Sequence, residues 1–403
     1  MRDCDVFVTV KYNRERQTDF TATSPCPENN IHMLEFRETT ARGRAVFAAC
    51  DISAGTHLLV EEPRICMPLP ESRAAVVACD GCCKPVGTIS LQAQHLAGSK
   101  TAAPELPLYE EDDYLSANVP CRNKSCSTRF CSAACEERLW PAHRFLCRGR
   151  CKAANDAIEK FEAHALETEE LFLFGARFVA HALGAGAGSL SPFAALCRAP
   201  YWDLSDEGVV KTSAEKREVK EACEEARRLL LKALVAGGND AGAVAGEFLT
   251  LEAWGGILGA SRRNSILVEL SHPMRDLLPT LGSWAAAQPA GGHGAKVRAF
   301  LKRLPTPLPE CLWTAVYDEI SQINHSCRHN CEVHFLSDNH EATLVAKRAI
   351  GTGEELFISY IPDNETANVE ERRASLRDYG FECDCVKCGP EAGWRRRLRP
   401  RVI

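Results

Sequence analysis

The sequence predicts an α+β chain built from several small sheets, and three observations carry that prediction. Short apolar runs bounded by turn residues stand at both ends of the 403 residues. A long stretch with helical periodicity lies between them. Cysteine, with 21 residues, gathers in two dense segments, Cys79–Cys151 and Cys383–Cys388.

The first sixty residues read as β-rich. "RAVFAAC" (44–50) and "HLLVEE" (57–62) are strand-like and joined by the turn-like "DISAGT". Within the cysteine-dense part that follows, "QAQHLAGSKTAAPELPLYEEDDYLSANVP" reads as an inserted polar loop with Gly, Pro and an acidic cluster. From about Ala153 to Leu234 the pattern is helical. Thr212 and Glu215 stand at capping-box spacing, and Val219, Cys223, Ala226, Leu230 and Ala233 recur on one face. "GAGAGS" and "AGGNDAGAVAG" read as flexible connectors. After Pro309, "CEVHFL", "EATLVAKRAI" and "ELFISY" read as strands, with "GTGE" turning between the last two. A charged helix, "NVEERRASLRDYG", then leads into "FECDCVKC" and a basic tail.

Length and composition allow two or three domains with a sizeable core. A net charge of −6 gives no reason to expect broad nucleic-acid binding. The first twenty residues carry charges throughout and no apolar stretch of signal-peptide length, so no secretory signal is expected, and no window is long and apolar enough for a membrane span. An odd cysteine count without a signal argues for a reducing compartment, cytoplasm and/or nucleus, where clustered cysteines hold metal.

The spacing of those cysteines is the strongest chemical signal. Cys79/Cys82, Cys121/Cys126, Cys131/Cys135 and His143/Cys147 form four close pairs, enough ligands for two tetrahedral zinc ions. Cys83 is an alternative to Cys82. Metal binding would supply much of the folding free energy of such a segment. Cys383, Cys385 and Cys388 lack a fourth ligand, and Cys327 is the candidate. It lies in "QINHSCRHNCEVHF", a stretch that read alone could also be a thiol nucleophile with its base; a thiolate held on zinc is no free nucleophile.

In order along the chain, "ARGRAVFAACDISAGTHLLVEEP", "CSAACEERLWPAHRFLC", "INHSCRHNCEV" with "GEELFISY", and "YGFECDCVKC" resemble the SET-and-MYND (SMYD) family of protein-lysine methyltransferases. The resemblance implies a SET-domain β-fold of small sheets with an inserted MYND zinc finger, a helical insertion and a zinc-bound post-SET turn. It implies an N-terminal SET part at 1–75, the finger at 76–151, a helical linker and SET insertion at 152–305, the SET core at 306–380, the post-SET turn at 381–392 and the tail at 393–403. The finger ligands would interleave: Cys79, Cys82, Cys131 and Cys135 on one zinc, and Cys121, Cys126, His143 and Cys147 on the other. With the post-SET site, three structural zinc ions are expected.

By the same resemblance, Asn324 and His325 hold S-adenosylmethionine (SAM), Arg42, Gly43 and Arg44 form a cofactor loop, and Asn264 supplies a further contact. Phe381 covers the adenine, Tyr360 stands beside the transferred methyl, and Tyr379 lines the lysine channel. Taken singly, each has a plainer reading: Asn324 a turn cap, His325 a core histidine, Tyr360 and Phe381 ordinary packing. Their joint order outweighs those readings. The chain departs from the family pattern in three ways. Ala45 stands where a second glycine is usual and is expected to tighten the cofactor loop, and His329 stands where proline is usual. No helical repeat domain follows Cys388, which suggests an atypical branch with more open substrate entry. The implied partners are a lysine-bearing protein, histone or non-histone, and a peptide at the finger; the implied state is a monomer. The rival readings are a degenerate scaffold that recruits partners through its finger and a nucleic-acid-binding zinc protein.

Overall fold

The computed structural model describes residues 8–10, 31–40, 42–98, 103–106, 114–186, 196, 199–203, 212–237, 245–246, 248–337, 339–361 and 367–391. Most of the first thirty residues, most of the two Gly/Ala-rich connectors and the basic tail lie outside them.

The two largest of four apolar clusters organise these residues. One is β-rich. The hairpin Leu34–Thr39/Gly43–Ala48 buries Val46 and Ala48 beside a three-stranded antiparallel sheet, in which Ala342–Ala346 runs between Cys331–His334 and His57–Glu61. A four-stranded sheet joins them, in the order Val8–Val10, Ile266–Leu270, Cys311–Val316, Ile65–Pro68. Val268, Trp313 and Ala315 bury its inner face.

The other core is helical. Lys152–Thr168 and Ser213–Ala236 pack together through Ile158, Phe161, Cys223, Ala226, Leu230 and Ala233, which are all buried, as the 3.6-residue pattern predicts. Both halves of the Thr212/Glu215 capping box form. Helices Leu171–Gly184 and Leu251–Asn264 approach closely because Gly175 has no side chain: a Cβ there would meet Trp254 Cη2 at 2.8 Å.

The expected polar loop from Gln92 is corrected in part. Its first residues belong to the helix Ile89–Leu96, and Tyr114–Ser116 is a strand paired with Gly87–Thr88. Gln92 is fully buried because its amide is spent on backbone: it accepts from Val77 N–H at 3.0 Å and donates to the carbonyls of Val77 and Val86 at 2.7 Å each. A residue that composition counts as polar is here a core residue.

Candidate active site and metal sites

The segment "INHS" is delivered by a capped turn. The Glu61 carboxylate accepts from the backbone N–H groups of Asp318, Glu319 and Ile320 at 2.6, 3.0 and 2.9 Å, holding the 3₁₀ turn Ile320–Gln322 that precedes Asn324. Asn324–His325 then pairs parallel with Phe357–Ile358, which sets the two motifs side by side. Buried Asn330 locks the crossing: its Oδ1 accepts from Phe357 N–H at 2.7 Å, and its Nδ2 donates to the Glu355 carbonyl at 2.9 Å.

Four aromatic rings meet at this crossing. Tyr360 lies 4.9 Å from Tyr379, 5.3 Å from His325 and 6.3 Å from Phe381 between centroids, and His325 lies 6.0 Å from Phe381. Two hydrogen bonds fix Tyr360. Its hydroxyl donates to the Ile323 carbonyl at 2.6 Å, and its backbone N–H donates to His325 Nδ1 at 3.0 Å. The second bond sets the histidine tautomer. Nδ1 accepts, so Nε2 carries the proton and donates to Cys327 Sγ at 3.3 Å. Burial pushes the His325 pKa down to about 3, so the ring stays neutral.

The hairpin turn closes over the same crossing. Gly43 adopts φ +68°, a left-handed conformation that disfavours any other residue, and open space surrounds the position a Cβ would take. Asn324 Nδ2 donates to the Arg44 carbonyl at 2.8 Å and to Glu355 Oε1 at 3.0 Å. Arg42 bridges Glu355 and Asp384 at 3.1 and 3.2 Å and stacks over Phe357. The amide of Asn324 is thus engaged in holding the loop itself. Ala45 is buried in regular pairing with Arg37, outside the left-handed region. Asn264 ends its helix with Nδ2 on the Ala260 carbonyl, and its own carbonyl accepts from Ser321 Oγ at 2.9 Å, three residues before Asn324.

The cysteines assemble into three four-residue sets: Cys79, Cys82, Cys131 and Cys135; Cys121, Cys126, His143 and Cys147; and Cys327, Cys383, Cys385 and Cys388. Within each, the ligand atoms lie within 4.8 Å of one another. A tetrahedral ion with bonds of about 2.3 Å to sulfur and 2.0 Å to nitrogen needs edges of about 3.8 Å between sulfurs and 3.5 Å between sulfur and nitrogen. Cys121–Cys147 measures 3.9 Å, Cys327–Cys383 3.8 Å, and Cys121–His143 Nε2 3.5 Å. These donors and spacings fit zinc, and four protein ligands leave no open coordination position. Cys82 rather than Cys83 joins the first set.

Sequence reasoning missed several residues that the fold makes important. Arg372, 1% exposed, donates to Cys388 Sγ at 3.3 Å and to the Ala367 carbonyl at 2.6 Å. Glu355 and Asp384 anchor Arg42. His329 joins Glu332, His334 and Lys347 in a charged cluster that holds the Glu332 carboxyl well below the usual carboxylate range. A cavity of about 580 Å³ opens between the finger and the helices, lined by Asp80, His143, Arg177 and His181, away from Tyr360. Glu355, Asp384 and Arg177 carry no spacing signal, since their partners are distant in sequence, whereas His143 is given by its spacing to Cys147 and His329, Glu332 and His334 are close along the chain.

A family model described as "SET domain" matches residues 212–361. Histone-lysine N-methyltransferase ATXR2 of Arabidopsis thaliana is 25% identical over 317 residues, 70% of this chain and 65% of that protein. Protein-lysine N-trimethyltransferase SMYD5 of Gallus gallus is 25% identical over 384 residues, 88% of this chain and 85% of that one. Histone-lysine N-methyltransferase SMYD3 of Mus musculus is 46% identical over a shorter match of 74 residues, which spans 18% of this chain and 16% of its own length. Residues 212–361 thus match a SET domain, and these likenesses, with the crossing of the two motifs and the interleaved cysteine sets, support an SMYD-type SET protein.

Proposed function

We propose that this chain is a SAM-dependent protein-lysine N-methyltransferase whose architecture is held by three structural zinc ions. The observation that carries the reading is the ring cluster Tyr360–Tyr379–Phe381–His325, built where the two motifs cross and closed by the Cys327/Cys383/Cys385/Cys388 set. When bound, SAM supplies a sulfonium methyl to a neutral lysine amine, the S–CH₃ bond breaking as the N–CH₃ bond forms and the amine proton leaving to solvent.

The chain's own residues act by positioning. A free lysine has a pKa near 10.4. Walls made by Tyr360, Tyr379 and Phe381 disfavour its ammonium form by desolvation. The Tyr360 hydroxyl has committed its proton to the Ile323 carbonyl, so its oxygen offers lone pairs as an acceptor and orients the amine. It is poorly placed to be a general base. Alignment then supplies much of the acceleration. Gly43, Arg42, Arg44, Asn324 and Asn264 shape the cofactor side, with the Gly43 backbone open to close approach. The substrate class is a protein lysine, histone or non-histone, and the setting is cytoplasmic or nuclear; the eighteen described cysteines, none of them in a disulfide, fit a reducing compartment.

Calorimetry with SAM on the zinc-loaded chain tests the cofactor half of this reading. Saturable binding that Asn324→Ala weakens supports it. A folded, zinc-loaded wild type that binds no SAM contradicts it and leaves a scaffold role.

A further inference from the structure

A fourth donor set lies outside the site described above. Cys66, Cys83 and His340 bring their ligand atoms within 4.8 Å of one another. The two sulfurs stand 3.3 Å apart, close to the 3.4 Å between Cys82 and Cys131 in the first finger set and far beyond a bonded disulfide.

Three elements converge to make it. Cys66 lies on the edge strand Ile65–Pro68, opposite Ala315. Cys83 lies in the first knuckle of the finger and has φ +65°, the only positive φ among described residues other than glycine. That conformation costs on the order of 1 kcal/mol for a residue with a Cβ. It occurs between adjacent cysteines that join different sets, Cys82 inward to the finger and Cys83 toward the sheet. His340 sits on the connection between Cys331–His334 and Ala342–Ala346. Its backbone is pinned, its N–H donating to the Cys82 carbonyl at 3.3 Å and its carbonyl accepting from the Tyr317 hydroxyl at 2.5 Å.

The independent pointer to a ligand is the imidazole of His340. The residue is 4% exposed, and neither ring nitrogen makes a hydrogen bond of good geometry; the imidazole interacts instead with the Cys66 thiol, a fellow member of the set. A buried polar atom left unsatisfied is costly, of order 1–3 kcal/mol. Coordination through one nitrogen would satisfy it. Charge balance also favours a divalent ion: two thiolates and a neutral imidazole neutralise it, which suits a site with Cys83 2% exposed. Beside it, Arg177 donates to the Cys66 carbonyl at 2.8 Å and to Asp80 at 2.7 Å, bracing the strand and the knuckle that carry the two cysteines.

We infer that Cys66, Cys83 and His340 form a fourth zinc site, which staples the finger to the edge of the four-stranded sheet and to the His340 connection. Three protein ligands leave the fourth position to a water. The ion fixes the orientation of the finger relative to the SET core. This goes beyond the three-zinc reading and fails separately from it.

The test is metal counting on the full chain by plasma mass spectrometry after exhaustive gel filtration. Four zinc equivalents in the wild type, falling to three in both Cys83→Ser and His340→Ala, support the site. Three equivalents in the wild type overturn it while leaving the other sites intact. A variant that keeps four equivalents overturns it too, as does an intact mass short by two hydrogens with the mass lost between Cys66 and Cys83. Should the variants fail to fold, cadmium-113 NMR on the substituted wild type decides. A fourth resonance of the two-sulfur class is expected, and its absence sinks the proposal.

Discussion

Replacing Arg372 by methionine removes one charge from a buried place. Four thiolates around one divalent ion leave the Cys327/Cys383/Cys385/Cys388 set with a net charge of about −2. Arg372 Nη2 lies 3.3 Å from Cys388 Sγ, and the side chain is 1% exposed. With an effective dielectric near 20, one charge pair at about 4 Å is worth roughly 4 kcal/mol. Breaking a buried pair by removing one partner costs about 3–5 kcal/mol. A loss of about 3 kcal/mol in metal binding is about two orders of magnitude in affinity. Arg372→Met should therefore release one zinc of the C-terminal set to chelators about 100-fold weaker than those the wild type resists, with the finger sets unchanged. Arg372→Lys should fall between, because it keeps the charge but loses the second donor that reaches the Ala367 carbonyl at 2.6 Å. Stepwise chelator competition with zinc release as readout measures this. Equal resistance of Arg372→Met and wild type would refute the electrostatic role given to Arg372.

Other residues give further expected outcomes. Gly43→Ala should cost about 1 kcal/mol of stability from its +68° φ, yet weaken SAM binding by more than that, read by urea melts beside calorimetry. Equal losses in the two would mean the loop makes no close approach. Leu230→Ala should cost about 2–5 kcal/mol in urea unfolding, since Leu230 is fully buried between helices, and leave SAM affinity per folded molecule unchanged. His272 is buried and neutral, donating from Nε2 to the Ala75 carbonyl at 3.1 Å and accepting at Nδ1 from Met274 N–H at 3.0 Å. Burial holds its pKa below the ordinary histidine value, so its contribution is full above pH of about 6.5 and lost as pH falls. Stability should thus drop between pH 7 and 5.5 less steeply in His272→Asn than in wild type, and parallel slopes would count against the assignment.

Local patterns in the sequence carry the parts of the fold that local physics decides. The Thr212/Glu215 box needs only residues three apart, and the buried face Cys223, Ala226, Leu230 and Ala233 needs only helical period, so both are legible. The strand Ile266–Leu270 was harder, because a short continuous apolar run has no period that separates strand from helix. The helix Ile89–Leu96 was hidden by Gln92, whose burial depends on carbonyls of Val77 and Val86 that sequence cannot place near it. At the site, Asn324, His325, Tyr360 and Cys327 lie in recognisable motifs. Arg372, Glu355, Cys66 and His340 act through partners in other segments, from sixteen to more than two hundred residues away, where spacing is silent.

The most direct measurement is transfer of labelled methyl from SAM into purified histones and cell-extract proteins by the folded, zinc-loaded chain, beside Tyr360→Phe. Tyr360→Phe removes the hydroxyl that donates to the Ile323 carbonyl and leaves the ring in tilted contact with Tyr379 and His325. Label on one or a few protein bands, reduced about 10²-fold or more in the variant while SAM affinity holds, is the predicted result. Undiminished transfer by Tyr360→Phe would contradict the role given to its hydroxyl, and no transfer from a chain that also binds no SAM would contradict the enzyme itself.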